Sequence, residues 1–217
     1  FNPQTAESNA FQKKDGFGRA VQESALREFL AYTTLLRANG VNIALAEDTL
    51  EPRTPDSIFP NNWFTTHEDG TLVLYPMAAP NRREERKEHF LQIIRKSFKV
   101  TRTVDLTHYE EEGLFLEGTG SMILDRENKI VYACRSPRTC DKVLDDFCKE
   151  LGYSPVVFEA VDQNGQQIYH TNVMMAVGTA YAIVCLESIA YASERERVVA
   201  SLEKTGKKVL EITLGQM

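Results

Sequence analysis

A histidine and a glutamate of this sequence have the chemistry of an acid–base pair. His170 and Asn172 stand before an apolar run that continues to Leu186, and Glu117 opens another apolar segment beside Gly118. A carboxylate in apolar surroundings is costly unless it is paired. His170 is a suitable partner, because a glutamate can orient a histidine that transfers protons. An alternative that fits the residue types equally well is a carboxylate that caps nearby backbone N–H groups.

A loop rich in polar residues leads to Trp63, the single tryptophan of the chain. It contains Asp56, Phe59, Asn61 and Asn62 together with two prolines. Asparagine and aspartate favour turns because their side chains bond to the backbone nearby. The loop is therefore either an ordinary turn-rich connection or the lining of a polar site.

Arginines stand in two segments that lead into predicted helices. Arg82 and Arg83 open a charged stretch, and Arg138 lies between Pro137 and Thr139. A guanidinium group can hold a carboxylate through two parallel hydrogen bonds. These arginines are accordingly either contacts for an anion or charges that face solvent.

The elements that position these residues follow one order three times. Helices are predicted from apolar residues at helical spacing and strands from short apolar or alternating runs between turn residues. The predicted strands are 41–45, 63–66, 71–75, 100–106, 116–124, 129–134, 155–158, 172–177, 180–186 and 208–212, and the predicted helices are 19–39, 83–97, 139–151 and a helix from Ser193 to Gly206. After a first helix and strand, each unit has two paired strands, a helix and a third strand.

The repeated units have a fixed period. Asn62, Glu117 and Asn172, which open the three predicted hairpins, are each separated by 55 residues. The units lie near 62–106, 117–160 and 172–212. A period of this size indicates a repeat architecture that closes into a ring or stacks as a solenoid. Since equivalent strand starts of a ring point toward one axis, we expect Asn62, Glu117 and Asn172 to converge on a common centre.

The repeat also predicts that these residues belong to a longer ring. The first predicted helix has no hairpin before it, and the sequence stops at Met217, where another hairpin is expected. Exposed edge strands promote aggregation of a native protein. We therefore expect a fragment that is incomplete at both ends.

Composition argues against several classes of protein. The net charge of −6 disfavours non-specific binding of nucleic acid. A continuous apolar run of about 18 residues, as a membrane span requires, is missing, and the first residues do not resemble a signal peptide. The four cysteines match no metal-binding spacing, so we expect free thiols and a cytoplasmic protein. The sequence leaves the oligomeric state open, a homodimer included.

The motifs stand in the order found in the guanidine-modifying enzymes, namely arginine deiminases, dimethylarginine dimethylaminohydrolases and amidinotransferases. The sequence resembles most the amidinotransferase-like branch, which includes citrulline hydrolases. The matching motifs are Asp56-x-x-Phe59-x-x-Asn62, Arg82-Arg83, Phe115-Leu116-Glu117-Gly118, Ser136-x-Arg138-Thr139 and His170-x-Asn172. The resemblance covers essentially the whole chain. It implies the pentein fold, a five-bladed α/β propeller of ββαβ repeats, of which a single domain over 1–217 would hold about four.

The resemblance also implies roles for the candidate residues. His170 resembles the general acid and base, and Glu117 resembles the carboxylate that orients it. Substrate contacts are implied at Asp56, Phe59, Asn61, Asn62 and Asn172, and grips on the substrate α-carboxylate at Arg82 or Arg83 and at Arg138. No metal or cofactor is implied.

The nucleophile of these enzymes is a cysteine in a glycine-rich loop near the C-terminus. Cys134, Cys140, Cys148 and Cys185 do not stand in such a loop. We therefore expect the nucleophile to lie beyond Met217 and the fragment itself to be inactive.

Two asparagines bear on the substrate. Arginine deiminases carry aspartates at the positions that match Asn62 and Asn172. A carboxylate suits a guanidinium cation, whereas an amide both donates and accepts and so suits a neutral ureido group. We therefore expect a cysteine-dependent hydrolase that converts citrulline to ornithine, carbon dioxide and ammonia. The alternatives within this class are an arginine deiminase, a dimethylarginine hydrolase and an amidinotransferase.

A different class of protein remains open as well. A non-catalytic pentein that binds a macromolecule, or a scaffold whose polar residues only cap strands, has the same repeat. Neither needs a histidine–glutamate pair beside arginines and amides. We expect a small amino acid as the partner, and neither nucleic acid nor a membrane.

Overall fold

The computed structural model describes residues 2–6, 9 and 19–217 of the chain. Its helices are α1 (Pro3–Ala6), α2 (Arg19–Ala38), α3 (Pro80–Arg83), α4 (Glu88–Ser97), α5 (Gly118–Ser121), α6 (Asp141–Leu151) and α7 (Ala192–Lys204). Its strands are β1 (Phe64–Thr66), β2 (Thr71–Leu74), β3 (Arg102–Asp105), β4 (Met122–Asp125), β5 (Ile130–Cys134), β6 (Ser154–Phe158), β7 (Met175–Val177), β8 (Tyr181–Val184) and β9 (Lys208–Glu211). Short 3-10 helices lie at Pro60–Asn62, Thr107–Glu110, Thr171–Val173 and Leu186–Ser188.

The described strands form three sheets of the same topology. In the first, β1 pairs antiparallel with β2 and β2 pairs parallel with β3, after a connection through α3 and α4. The second sheet repeats this order with β4, β5, α6 and β6, and the third with β7, β8, α7 and β9. The predicted succession of three ββαβ units is confirmed.

The strand β5 shows how neighbouring units pack. Side chains alternate between the two faces of a strand. Val131 and Ala133 belong to a core shared with the first unit, whereas Tyr132 and Cys134 belong to a core shared with the third. All four are fully buried. Both faces of β5 are therefore apolar because its sheet packs between the sheets of the first and third units.

A short helical turn precedes the first hairpin strand of each unit. These turns are Pro60–Asn62, α5 and Thr171–Val173, and α5 contacts both of the others. Thr171 ties two units together, because its Oγ1 donates to the carbonyl of Ser121 at 2.6 Å and accepts from the N–H of Cys134 at 2.8 Å. The three turns thus meet where the units adjoin.

Three predicted elements differ from the structure. Residues 41–45 form no strand, because no strand of the described residues pairs with them. The helix predicted over 83–97 is divided into α3 and α4, since Lys87 between them is extended and its ammonium group binds Asp48 at 2.6 Å. Only the end of the predicted strand 116–124 is a strand, because Gly118 has a φ of +44° and begins a helical turn.

The helix predicted over 19–39 is confirmed as α2, which has 20 residues. Within residues 2–6, 9 and 19–217, no helix combines the length and the apolar character that crossing a membrane demands.

Candidate active site

The helical turns bring a histidine and a glutamate from different units into contact. Glu117 is the residue before α5, and His170 is the residue before the turn Thr171–Val173. Nε2 of His170 lies 2.8 Å from Oε2 of Glu117, and both side chains are buried. The structure therefore contains the predicted pair.

The carboxylate of Glu117 is surrounded by donors. Oε1 accepts from the backbone N–H of Ala78 at 3.0 Å, and Oε2 accepts from His170 and from Nη1 of Arg138 at 3.3 Å. Burial raises the pKa of Glu117, but the hydrogen bond from His170 and the charges of Arg138 and Arg82 outweigh it and lower this pKa to about 2. Glu117 is therefore ionised at neutral pH and acts only as an acceptor.

This acceptor fixes the tautomer of His170. Burial lowers the pKa of His170, partly opposed by the hydrogen bond to Glu117, so the imidazole is neutral at pH 7. Since an ionised carboxylate cannot donate, Nε2 carries the proton and Nδ1 carries the lone pair. His170 is thereby arranged as a general base at Nδ1, with Glu117 stabilising the cation that forms after proton uptake.

Two glycines of α5 allow the turns to come this close. A Cβ atom on Gly118 would lie 2.3 Å from the carbonyl oxygen of Asn61. A Cβ atom on Gly120 would lie 2.5 Å from Nδ2 of Asn62 and 2.6 Å from Cε1 of His170. Atoms cannot approach so closely, so the motif Gly118-x-Gly120 has a packing role in the site.

Arg138 contacts the pair from the side of the N-terminal turn. Besides its bond to Glu117, it donates from Nη2 to the carbonyl of Thr5 at 2.9 Å, and its guanidinium lies 4.8 Å from the ring centre of Tyr169. The side chain is buried. In this structure Arg138 therefore contributes positive charge beside Glu117.

Most N–H donors of the Arg82 guanidinium form hydrogen bonds to other groups of the protein. Its Nε and Nη2 donate to Glu85 Oε1 at 2.9 Å and Oε2 at 3.0 Å, and Nη1 donates to Oδ1 of Asn62 at 2.7 Å. The guanidinium is buried together with Glu85. This arrangement does not support the prediction that Arg82 grips a substrate carboxylate, because Glu85 already fills that place.

Arg83 points to other partners than Glu117. Its Nε donates to the carbonyl of Met77 at 2.9 Å and its Nη2 to the carbonyl of Ala78 at 3.2 Å. The nearest carboxylate oxygen is Oε2 of Glu110 at 3.6 Å. The structure thus places Arg83 at a cavity that also contains several acidic residues, Asp105, Glu110 and Glu111.

Asp56 is held by the N-terminal turn. Its Oδ2 accepts from Nδ2 of Asn2 at 2.8 Å and from Oγ1 of Thr5 at 2.9 Å. Asn61 is half-buried beside Thr119, with 3.3 Å between Nδ2 and Oγ1. The Phe59 side chain is 54% exposed, and its carbonyl accepts from Arg82.

The expected convergence of three hairpin-opening residues is only partly found. Asn62 and Glu117 are buried, but Asn172 is exposed. Asn172 lies in a 3-10 turn, where each residue is rotated by about 120° from the last, so residues two apart do not share a face as they would in a strand. His170 takes the place expected of Asn172.

Some residues of the cluster were not predicted. They are Asn2, Thr5, Glu85, Ser121 and Tyr169. Glu85 follows Arg82 by three residues, a spacing that favours ion pairs on a helical turn. Ser121 accepts from the N–H of Glu117 at 2.9 Å and donates to the carbonyl of Arg138 at 2.7 Å, which no sequence pattern indicates.

The described cysteines have structural surroundings. Burial raises the pKa of Cys134 to about 11 and that of Cys148 to about 12. Cys185 is fully buried, and Cys140 packs against the first core. Among the described residues, no group of histidine, cysteine and acidic side chains could hold a metal ion.

The sequence profile of the family described as N,N dimethylarginine dimethylhydrolase, eukaryotic, matches residues 1–217. The chain belongs to this family. Its expected membership of the guanidine-modifying superfamily is thereby confirmed. No curated protein sequence matches the chain.

Solved structures share the fold at low sequence identity. The substrate-bound N-terminal domain of ArgZ, a cyanobacterial arginine dihydrolase, gives a TM-score of 0.69 at 17% identity, over 88% of this chain and 65% of that chain. SxtG, an amidinotransferase from Microseira wollei, gives 0.61 at 12% identity, over 89% and 62%. AgrE in complex with ornithine and NAD+ gives 0.61 at 17% identity, over 89% and 32%.

The present chain thus spans less than two thirds of each of these relatives, and 28% of the longer ArgZ chain. At such identities the likeness shows the fold alone. It confirms the expected pentein α/β propeller.

Proposed function

We propose that the protein cleaves a C–N bond in the guanidino or ureido group of an amino acid. The observation that supports this most is the buried 2.8 Å contact between His170 Nε2 and Glu117 Oε2. Because Nε2 carries the proton, the lone pair of Nδ1 of His170 is available to take up a proton from a reactant. Family membership supports the same class of substrate.

Within this class we propose citrulline as the substrate. The thiol of the nucleophile gives its proton to Nδ1 of His170 and adds as a thiolate to the ureido carbon, and the protonated His170 then gives this proton to the departing amine of ornithine. The carbamoyl thioester then reacts with one water molecule, whose proton passes to Nδ1 of His170 while the thiolate leaves. The carbamic acid so formed divides into carbon dioxide and ammonia, and the enzyme returns to its initial state.

The thiolate is proposed to come from outside the 217 residues. Cys134 and Cys148 are poor nucleophiles because burial raises the pKa of each. Coverage of 65% of the ArgZ domain is consistent with a natural protein that has further residues of the ring. The activity accordingly belongs to the full-length natural protein.

The amide of Asn62 supports citrulline over arginine. Asn62 is buried and its Nδ2 lies beside the imidazole of His170. A neutral amide needs no counter-ion, whereas a carboxylate there would favour a guanidinium cation.

A dimethylarginine hydrolase is the second candidate, and the match to the dimethylarginine dimethylhydrolase family favours it. The same His170 and Glu117 would then act on a methylated guanidinium group. The products distinguish the two functions, because dimethylarginine yields a methylamine and citrulline yields ornithine.

A substrate panel tests the proposal. The purified full-length protein is incubated with citrulline, arginine and dimethylarginines, and ornithine, citrulline, ammonia and dimethylamine are quantified by chromatography. We expect ornithine and ammonia from citrulline. Release of dimethylamine from dimethylarginine, or of citrulline from arginine, with citrulline itself left intact, would overturn it. A Glu117→Gln variant controls for contaminating enzymes.

A further inference from the structure

The ion pair of Arg82 and Glu85 contacts the side chain of Asn62, to which Nη1 of Arg82 donates. Resting on the function proposed above, we propose that this pair is a positioning device for the amide of Asn62. It fixes which end of the amide faces the substrate, and it thereby selects a reacting group that carries an acceptor oxygen.

The orientation of Asn62 follows from the chemistry of its neighbour. A guanidinium group has donors and no acceptor. Nη1 of Arg82 donates to Asn62 at 2.7 Å, so the atom that faces it must be Oδ1. Glu85 holds Arg82 in place through two bonds of 2.9 and 3.0 Å, and the side chains of Arg82 and Glu85 are only 3% and 1% exposed. The amide cannot turn over without losing its bond to Arg82.

The other end of the amide faces His170. Nδ2 of Asn62 lies 2.5 Å, and Nδ1 of His170 lies 2.7 Å, from the position that a Cβ atom of Gly120 would occupy. The two nitrogens therefore lie close together against the same face of Gly120. Among the described residues, the buried side-chain nitrogen or oxygen that lacks a hydrogen-bond partner is Nε of Arg195. Nδ2 of Asn62 donates to no described residue and is not one of the buried atoms that lack a partner, so this nitrogen is accessible to a ligand.

A substrate whose reacting group is within reach of Nδ1 of His170 also meets the N–H donors of Asn62. The oxygen of a ureido group accepts such a bond, whereas a guanidinium group offers only N–H donors in return. An unsatisfied donor in a closed site costs binding free energy. Arg82 and Glu85 therefore favour the ureido group without touching it.

Replacing the ion pair as a unit tests this role. Either single variant, Arg82→Met or Glu85→Met, would leave one buried charge without its partner. The double variant Arg82→Met/Glu85→Met removes both charges and avoids this. Without Arg82 the Asn62 amide can turn over and present Oδ1 to a guanidinium. We expect the ratio of kcat/KM for citrulline to that for arginine to fall about 10- to 100-fold, the range set by one unsatisfied buried hydrogen-bonding group. A purely structural role would lower both values by the same factor.

A second variant and a control complete the experiment. Asn62→Asp keeps the bond to Arg82 and presents an oxygen to the site, so it should lower the same ratio at least as far as the double variant. Arg83→Met changes the neighbouring arginine, which binds the carbonyls of Met77 and Ala78, and should leave the ratio unchanged.

The outcomes separate this proposal from the proposed function. If the full-length natural protein releases no ornithine from citrulline, the proposed function fails. The orientation of the Asn62 amide is then tested separately by NMR. The side-chain amide resonance of Asn62 should shift on addition of citrulline and should not shift on addition of arginine. If citrulline is hydrolysed but both variants keep the natural ratio, or Arg83→Met lowers it equally, the positioning role is overturned.

Discussion

Two carboxylates flank one short loop and are held by consecutive amide groups. The N–H of Met77 donates to Oε1 of Glu110 at 2.8 Å, and the N–H of Ala78 donates to Oε1 of Glu117 at 3.0 Å. The second oxygen of Glu110 accepts from Arg86 at 2.8 Å, whereas that of Glu117 accepts from His170 at 2.8 Å.

The difference between these two clusters lies in the group opposite the carboxylate. An arginine stays protonated at all ordinary pH values, so the Glu110 cluster can stabilise the loop and cannot move a proton. A histidine exchanges a proton near neutral pH. Similar geometry therefore gives an ion pair of fixed protonation in one place and, in the other, a pair for which we propose proton transfer.

The largest expected effect is on Glu117. Glu117→Gln replaces an acceptor that fixes the tautomer of His170 with an amide that can also donate. We expect kcat for citrulline to fall about 10²- to 10⁴-fold, the usual contribution of general acid–base catalysis. Steady-state kinetics of the full-length protein measure this. An equal loss in the Glu110→Gln variant would remove the distinction between the two clusters.

Adding one methyl group at Gly120 should produce the next largest effect. Gly120→Ala places a Cβ atom 2.5 Å from Nδ2 of Asn62 and 2.6 Å from Cε1 of His170, so both side chains must move. A displacement near 1 Å in an active site can cost about 100-fold in rate. Gly178→Ala is the matched control, because its nearest non-local atom would be 3.4 Å away. Equal kcat values for the two variants would contradict the proposed packing.

Acid should weaken the protein partly through Glu117. Its pKa is lowered from 4.5 to about 2, so its contribution to stability is fully present above pH 4.5 and is lost as the pH falls toward 2. Urea unfolding at several pH values should show a steeper decrease in the unfolding free energy for the natural protein than for Glu117→Gln. Parallel curves would show that Glu117 has an ordinary pKa in the folded state.

The smallest effect is expected at Glu110. Glu110→Gln removes the ion pair with Arg86. Both side chains are largely buried, with 15% of Arg86 and 12% of Glu110 exposed. We expect a loss of about 1 kcal/mol in the free energy of unfolding and a kcat for citrulline close to the natural value. Chemical denaturation with an activity assay on the same samples measures both. A kcat that fell as far as in Glu117→Gln would assign Glu110 to the chemistry.

The repeat and the central pair could be predicted because both leave a mark in the sequence. Each unit has apolar strands and a polar residue before its hairpin, and a buried carboxylate such as Glu117 requires a partner. These features led to the three units and to the contact between Glu117 and His170, which the structure contains.

The positions and partners of the other site residues could not be predicted, because they depend on local geometry that residue types do not determine. A strand and a 3-10 turn place Asn172 on different faces, and the sequence 171–173 is compatible with both. Arg82 and Arg83 have the same chemistry, so their contrasting partners, Glu85 and the carbonyl of Met77, follow only from tertiary packing. The bonds from Asn2 and Thr5 to Asp56 join residues more than 50 positions apart, and no short pattern indicates them.

We propose that His170 performs the proton transfers of C–N bond cleavage. Ornithine release from citrulline by the full-length natural protein and by its His170→Asn variant tests this claim most directly. Asparagine can still bond to Glu117 but cannot take up a proton at neutral pH, so we expect the variant to fold with a kcat lowered about 10²- to 10⁴-fold. A variant that releases ornithine at the natural rate would contradict the account.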